Sequence, residues 1–441
     1  MNRQTGLFSG SLTYFIFSFI NYGVRLAVTI LVARSLGTTG KGIYTLVLLS
    51  GGFVTLFSNL GISGAVTYLG AAQKYSRKAL FSFGITSSLI SAVVGDLVFL
   101  MLYGLVLRNN FLTGITERQI FILCGYVFLN LIISVLTSLL LTEQKILAAN
   151  IIETVRSFAN LILQFSALYF QLGVDGAVLA WLGGSFFALI SAILLTRDYW
   201  AFQFEEIVPI TREALRYGLK SYVANLSSFA NYRLDSFLVN SMTGASQVGL
   251  YSVGVSLAEM TWYFPNAVSS ALFPKVPTLD PEVAKKVTAR ICRQMLVLLV
   301  PFTLVYLFFG SWLIPIFYGP RFTDSISPFI WLMPGMIALA IAKIISADFA
   351  GRGKPQYATY SSTMTLVVTI ILDVLLIPRM GISGAAIASS VAYSVATGLV
   401  VYFYLKDANI KLGDIFLPKK DDLHMMWEQA KRLVMILKRP R

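Results

Sequence analysis

Long apolar runs separated by short polar breaks recur along the whole chain. Most runs reach about 20 residues, the length that an α-helix needs to cross a hydrocarbon layer about 30 Å thick. Membrane strands would be about half as long and would alternate apolar and polar residues. The pattern therefore predicts an all-α polytopic membrane protein with about 12 transmembrane helices. The predicted spans are 12–34, 43–70, 80–107, 119–141, 151–172, 176–195, 217–241, 249–273, 291–316, 326–347, 357–377 and 382–405.

The composition excludes a soluble protein. Hydrophobic residues make up 56% of the 441 residues and charged residues only 13%, about half the charged fraction of soluble domains. The longest internal connection, around residues 196–216, is too short to fold alone. Cys124 and Cys292 lie in different halves and are interpreted as buried apolar residues, and the single histidine, His424, lies in the tail. We therefore expect no metal site and no resident cofactor.

The basic residues indicate the orientation. Lys and Arg divide between alternate loops roughly 24 to six, which predicts that both termini face the cytoplasm. This topology accounts for the net charge of +14 without a nucleic-acid partner. In the tail, apolar residues at helical spacing predict an amphipathic helix on the membrane surface, with a partner-binding or disordered tail as the alternative. These apolar residues are Leu423, Met426, Trp427, Ala430, Val434 and Leu437.

Two sequence matches indicate an internal repeat. The segment from Gly37 to Tyr44 recurs 207 residues later from Gly244 to Tyr251, and the segment from Gly173 to Ala180 recurs 208 residues later from Gly381. Nearly equal spacing of the two matches favours duplication of a six-helix unit, whose copies would share one orientation and enclose a cavity. The predicted divisions are an amino-terminal lobe at 1–200, a cytoplasmic linker at 201–216, a carboxy-terminal lobe at 217–405 and a basic cytoplasmic tail at 406–441.

These motifs resemble a known transporter group. Ala33-Arg-Ser-Leu-Gly37 through Tyr44, its echo near Tyr251 and the segment from Gly381 to Ala388 resemble the polysaccharide exporters of the multidrug/oligosaccharidyl-lipid/polysaccharide (MOP, MATE-like) superfamily. Length and helix count resemble the Wzx-type oligosaccharide flippases, over about residues 5–405.

The resemblance implies a V-shaped, two-lobed bundle that works as a monomer by alternating access. Its substrate would be an undecaprenyl-pyrophosphate-linked glycan, moved from the inner to the outer leaflet of a bacterial or archaeal cytoplasmic membrane. This movement would serve the biosynthesis of a cell-surface polysaccharide such as O-antigen or capsule. Membrane lipid and a polysaccharide polymerase would be its partners.

Five ionisable residues lie deep within the predicted spans, where each costs about 2.5–3.5 kcal/mol to insert and therefore indicates a lumen or a functional site. They are Arg25, Asp96, Arg233, Asp235 and Glu259. Another five lie nearer predicted helix ends, where we expect them to extend toward the membrane surface. They are Glu153, Arg156, Lys343, Asp348 and Asp373.

The two arginines are candidate ligands for pyrophosphate, whose oxygens a guanidinium binds with paired donors. Asn21 precedes Arg25 by one turn, and the repeat aligns Arg25 with Tyr232, next to Arg233. The resemblance implies that Arg25 lies in the central cavity. The alternative is a structural ion pair of either arginine with Asp235, Glu259 or Asp96.

A polar stripe in the seventh span suits sugar hydroxyls or bound water, although buried hydrogen bonding between helices would produce the same pattern. It comprises Asn225, Ser228, Asn231, Tyr232 and Asp235. The carboxylates Asp96, Asp235 and Glu259 are candidates for coupling to a proton or sodium gradient, or to the membrane potential. Pairing with an arginine is again the alternative.

Two other functions compete with the flippase. A MATE-like multidrug antiporter would share the fold, and its members resemble each other in carrying an acid in the amino-terminal cavity, a role open to Asp96. A membrane glycosyltransferase or polymerase would need catalytic groups on a substantial outer loop, but the loops at 35–42, 108–118 and 317–325 are short. We therefore expect a transporter and not an enzyme.

Overall fold

A computed structural model describes residues 3–408, 410–419, 421–422, 428 and 431, without the side chains of 3–16, 219–221 and 223–224. All regular secondary structure in this part of the chain is helical, which confirms the predicted fold class. The helices are α1 (Arg3–Asn59), α2 (Ile62–Ala71), α3 (Arg77–Leu102), α4 (Arg108–Asn110), α5 (Glu117–Thr142), α6 (Ile146–Tyr169), α7 (Gly173–Leu195), α8 (Ile207–Thr243), α9 (Ala245–Ala258), α10 (Tyr263–Leu272), α11 (Pro281–Tyr318), α12 (Ile326–Gly351), α13 (Gln356–Ala408) and α14 (Gly413–Phe416). A π-helical stretch at Tyr103–Leu107 joins α3 to α4, and a 3₁₀ turn at Glu259–Trp262 joins α9 to α10.

Two of these helices are far longer than one membrane crossing. With 57 residues, α1 would measure about 85 Å if it were straight. It is interrupted at Gly37, where φ is 67° and ψ is −171°, and α13 is interrupted in the same way at Gly381, where φ is 58°. A single non-helical residue therefore divides each of them into two consecutive helical segments.

The glycine breaks follow the internal repeat. Gly37 and its equivalent Gly244 both have positive φ, as do Gly173 and its equivalent Gly381. Residues with a side chain adopt this conformation less readily, so glycine is favoured where the chain turns between helices in this way. The backbone thus repeats its breaks at the offsets of 207 and 208 residues that the sequence matches predict.

Eight helices among the described residues are long and apolar enough to cross a membrane, which makes the chain a multi-pass membrane protein. They are Phe17–Asn59, Arg77–Asn110, Glu117–Thr142, Ile146–Tyr169, Gly173–Leu195, Pro281–Tyr318, Pro320–Gly351 and Gln356–Ala408. Because two of these contain a glycine break, the number of helices does not give the number of crossings, and twelve spans stays a prediction. The polar helix α8 is not among the eight.

Polar side chains fix where several helices begin. Ser76 accepts a hydrogen bond from the amide of Ala79 at the start of α3. Thr116 and Gln119 form a reciprocal capping box before α5, in which each side chain bonds to the backbone of the other residue. Such caps satisfy amide groups that have no partner within the helix.

The chain divides into two compact units. Unit 1 comprises Met1–Leu250 and Phe317–Arg321, and unit 2 comprises Tyr251–Ile316 and Phe322–Arg441. Each has its own apolar core, which surrounds residues such as Leu136 and Leu140 in unit 1 and Ile344 and Phe349 in unit 2. The lobe boundaries predicted from the sequence stay a prediction; α8 lies with the amino-terminal helices in unit 1.

The described segment at 410–419 and 421–422 is anchored within unit 2. Arg293 of α11 donates to both carboxylate oxygens of Asp422, at 2.6 and 3.1 Å, and also to the backbone oxygen of Asp414. Ile415 of α14 is fully buried in the core of the unit. Of the predicted amphipathic helix only Glu428 and Lys431 are described; both are helical and form an ion pair at 3.3 Å. Its apolar residues lie outside the described part of the chain.

Candidate substrate site

Arg25 forms an ion pair inside unit 1. Its Nη2 atom donates a hydrogen bond to Oε1 of Glu153 on α6, 128 residues away in sequence. The Arg25 side chain is nevertheless 62% exposed, so its guanidinium remains accessible on the α1 segment before the Gly37 break. The alternative given by the sequence, a structural ion pair, would join Arg25 to Asp235, Glu259 or Asp96. In the structure Arg25 pairs with Glu153 instead.

A second arginine lies on the other side of the same carboxylate. The Nε atom of Arg156, one turn beyond Glu153 on α6, lies 3.6 Å from Glu153 Oε2. Tyr126 of α5 is within electrostatic reach of all three charged groups and stacks on Trp181 of α7, with the ring centroids 3.6 Å apart. Helices α1, α5, α6 and α7 therefore bring two cations, one anion and an aromatic pair together.

Uncharged polar groups border this cluster. Asn21, one turn before Arg25, is only 6% exposed, and its Oδ1 atom has no hydrogen-bond partner among the described residues. The same holds for Oδ1 of Asn160, one turn beyond Arg156. A buried acceptor without a donor costs about 1–3 kcal/mol, so these oxygens favour a ligand or water that can donate hydrogen bonds.

The expectation that five charged residues extend toward the membrane surface from helix ends is wrong for Asp348 and Asp373. Glu153 and Arg156 meet Arg25, and Asp348 and Asp373 are both 0% exposed. Burial within a packed bundle, which hydropathy does not report, is the reason. The spacing of Glu153, Arg156 and Asn160 at i, i+3 and i+7 places them on one helix face and is the signal that could have grouped them.

The polar stripe of α8 divides into a buried part and an exposed part. Asn231 and Asp235 are buried, whereas Asn225 is exposed and Tyr232 and Arg233 are half-buried. The Asp235 carboxylate accepts hydrogen bonds from the amide and the hydroxyl of Ser236, at 2.6 and 3.3 Å. The buried part thus includes local hydrogen bonding, and Asn225 lies at the exposed end of the stripe.

The remaining candidate acids lie in other surroundings. Asp96 of α3 is half-buried and hydrogen-bonds to the thiol of Cys124 on α5. Glu259 lies at the start of the 3₁₀ turn in unit 2, within electrostatic reach of Lys343. Lys343 donates to Asn266 at 2.9 Å and lies over the ring of Trp262, 4.4 Å from its centroid. Unit 2 therefore contains a second, separate group of polar side chains.

Unit 1 also contains an apolar cavity of about 270 Å³ between α1, α3 and α8. Its lining includes Phe53, Phe57, Phe99 and Phe229 and only one side chain with a polar atom, Ser50. With no cation and a single hydroxyl, such a surface does not suit a phosphate or a sugar. The cluster around Arg25, rather than this cavity, has the chemistry of a polar headgroup site.

The family model of polysaccharide biosynthesis proteins matches residues 30–327 of this chain. This stretch covers more than half of the sequence and includes both copies of the first repeat motif. The chain belongs to the polysaccharide biosynthesis protein family. Membership agrees with the resemblance to the polysaccharide exporters that the glycine motifs indicate.

The curated relatives of this chain are distant from it in sequence. A probable low-salt glycan biosynthesis flippase, Agl15 of Haloferax volcanii, is 24% identical over 204 residues, which cover 45% of this chain and 43% of that protein. A putative O-antigen transporter of Shigella flexneri is 21% identical over 392 residues, covering 86% of this chain and 93% of that protein. The first alignment thus spans less than half of the relative.

The fold matches that of a solved transporter. The lipid II flippase MurJ, in an inward closed conformation, aligns with a TM-score of 0.75 and 15% identity, over 98% of this chain and 94% of MurJ. This likeness shows that the chain has the fold of the transporter superfamily that its sequence resembles. At 15% identity, the similarity to MurJ shows the fold alone and does not indicate the substrate.

Proposed function

We propose that this polysaccharide biosynthesis protein is a flippase for an undecaprenyl-pyrophosphate-linked oligosaccharide. It would move this lipid from the inner to the outer leaflet of a bacterial or archaeal cytoplasmic membrane by alternating access, for cell-surface polysaccharide biosynthesis. The observation that carries the proposal is the accessible guanidinium of Arg25 in a predicted membrane span. The family, and the flippase and O-antigen transporter names of its relatives, support the same class of substrate.

The chemistry of the substrate fits an arginine. A pyrophosphate that links a lipid to a sugar carries two negative charges, which must be stabilised while the headgroup crosses the membrane. A guanidinium offers paired donors to such oxygens and keeps its own charge in a poorly hydrated cavity. Since no bond is made or broken during the crossing, the protein needs binding groups and a conformational change, not a catalytic centre.

Several further features belong to the same proposal. Both termini and the basic tail would lie in the cytoplasm, and the protein would act as a monomer. A polysaccharide polymerase would use the oligosaccharide lipid after it has reached the outer leaflet. A proton gradient, a sodium gradient or the membrane potential would drive transport without a resident cofactor. Arg233, Asn225 and Tyr232 would contact the sugar or the pyrophosphate as the cavity opens.

Transport in liposomes tests the proposal. Purified protein is reconstituted, and the transbilayer movement of a fluorescent undecaprenyl-pyrophosphate oligosaccharide is measured beside the variant Arg25→Gln. We expect a loss of about 10- to 100-fold in the variant, which corresponds to about 1.5–3 kcal/mol for a hydrogen bond to a charged group. Arg118→Gln is the matched control, because Arg118 is 71% exposed and pairs with Asp175 at 3.6 Å, apart from the Arg25 cluster.

A fluorescent cationic dye serves as the competing substrate in the same liposomes. Dye transport without movement of the lipid would overturn the proposal in favour of a multidrug antiporter. Equal lipid transport by the wild type and the Arg25→Gln variant would exclude Arg25 as the headgroup ligand. The thermal unfolding of each purified variant shows whether a loss of transport is a loss of folded protein.

A further inference from the structure

Arg25 and Arg156 approach the two oxygens of one carboxylate. Arg25 bonds to Oε1 of Glu153, and Arg156 Nε lies 3.6 Å from Oε2. Two guanidinium groups that face two oxygens of one anion also match the way in which arginines bind a phosphate group. Glu153 therefore occupies, within the protein, the position that an external anion would take between these two arginines.

The cluster retains hydrogen-bonding capacity beyond this ion pair. Nε of Arg156 lies 3.6 Å from Glu153, too far for a hydrogen bond. This atom and Oδ1 of Asn21 and Asn160 have no hydrogen-bond partner among the described residues, although all three atoms are buried. A phosphate oxygen could accept from Arg156, and an adjacent sugar hydroxyl could donate to an asparagine oxygen. A headgroup that combines phosphate and sugar thus supplies both kinds of partner.

We propose that Glu153 is an internal counter-ion, which the pyrophosphate of the substrate displaces from Arg25 and Arg156. This inference rests on the proposed flippase function and adds Arg156 to its headgroup site. The two arginines and Glu153 together carry one net positive charge. A pyrophosphate diester with two negative charges would make the site negative if Glu153 stayed, whereas the two arginines alone neutralise it.

Displacement gives Glu153 a role in setting affinity. While no substrate is bound, the carboxylate holds both guanidinium groups in place and offsets the repulsion between these two neighbouring cations. When the pyrophosphate binds, it must compete with Glu153, which weakens binding. A transporter must release its substrate in the outer leaflet, so an internal competitor keeps binding from becoming too tight.

Binding measurements on the purified full-length protein in detergent test this inference. The probe is geranylgeranyl pyrophosphate, and its dissociation constant is determined by isothermal titration calorimetry. Glu153→Gln removes the competing charge, so we expect about tenfold tighter binding, whereas Arg156→Gln should weaken binding about tenfold. A purely structural role for Glu153 predicts weaker binding in both variants, because the arginines would then lose their alignment.

Glu143→Gln is the matched control. Glu143 also lies between two cations, Arg77 at 2.7 Å and Lys145 at 2.9 Å, but at the end of α5 and apart from this cluster. Its replacement should leave binding of the probe unchanged. If Glu153→Gln does not fold, Glu153→Asp provides the test, because a shorter carboxylate reaches the two arginines less well and should also tighten binding.

The outcomes separate the two proposals. If the wild type binds the probe and Glu153→Gln binds equally or more weakly, the counter-ion role is wrong and the flippase proposal stands. If the wild type does not bind the pyrophosphate probe, the proposed headgroup site fails, and the inference fails with it. Tighter binding in Glu143→Gln as well would point to a general charge effect and would also overturn the role of Glu153.

Discussion

Gly42 and Gly249 pack against each other backbone to backbone, and the internal repeat makes them equivalent positions. A Cβ atom on Gly42 would lie 1.7 Å from the carbonyl oxygen of Ala245, and one on Gly249 would lie 2.0 Å from that of Thr38. Thr38 and Ala245 are also 207 residues apart. The contact is therefore reciprocal, as in a two-fold interface between identical surfaces.

Alanine at either glycine should destabilise the protein. Gly42→Ala and Gly249→Ala each place a methyl group inside the van der Waals distance of a backbone atom, which cannot move as freely as a side chain. We expect each substitution to lower the free energy of unfolding by about 1–3 kcal/mol, measured by thermal or denaturant unfolding in detergent.

Gly64→Ala is the control for this pair. Gly64 also lies in a helix, α2, and a Cβ atom there would meet no atom within 4 Å. Its replacement should be neutral or should stabilise the helix by up to about 1 kcal/mol. Equal stability of all three variants would contradict the close contact between Gly42 and Gly249.

Asp348 should be essential for the stability of unit 2. This 0% exposed carboxylate accepts hydrogen bonds from Thr288 at 3.0 Å and from Arg352 Nε at 2.7 Å. Asp348→Ala leaves the Arg352 guanidinium, which also binds Asp407, with one anion fewer in a buried position. We expect a loss of about 3–5 kcal/mol in the free energy of unfolding.

An exposed acid provides the comparison for Asp348. Asp324 lies in the 3₁₀ turn before α12 and is exposed. Asp324→Ala should change the free energy of unfolding by less than about 0.5 kcal/mol. A similarly small effect of Asp348→Ala in the same denaturant titration would show that the buried ion pairs around Arg352 do not stabilise the unit.

The anchor between Arg293 and Asp422 should depend on pH. Hydrogen bonding from Arg293 holds the pKa of the Asp422 carboxyl, which is 1% exposed, below its usual value of about 3.9. A depressed pKa in the folded state stabilises the folded form above about pH 3.9, and this stabilisation is lost as the pH falls through the lower, folded-state pKa. We expect residues 410–419 to detach in that acidic range.

Hydrogen exchange of residues 410–419, corrected for the intrinsic effect of pH on exchange, measures this detachment. Asp422→Asn should reduce protection already at neutral pH and should remove most of the pH dependence. The neighbouring exposed residue supplies the control, and Asp421→Asn should behave as the wild type. Full protection of the segment in Asp422→Asn would show that Ile415 alone anchors it.

Much of the architecture was predictable because the membrane restricts it. A long apolar run must become a helix, since unpaired backbone groups are too costly in hydrocarbon, and this argument alone predicts an all-α membrane protein. The repeat was also readable, because glycine is favoured where the chain breaks at positive φ, as at Gly37 and Gly244. Arg25 was readable as a candidate ligand because a charged side chain within an apolar span is costly to insert and therefore indicates a functional site.

The sequence by itself determined the helical membrane fold, the repeat and the prominence of Arg25. Only the tertiary structure decided that Glu153 and Arg156 meet Arg25, since hydropathy placed them near a helix end and 128 residues separate Arg25 from Glu153. Burial of Asp348 and Asp373 was likewise decided by packing. The physical reason is that helix formation depends on the local solvent, whereas the partner of a charge depends on which helix faces pack together.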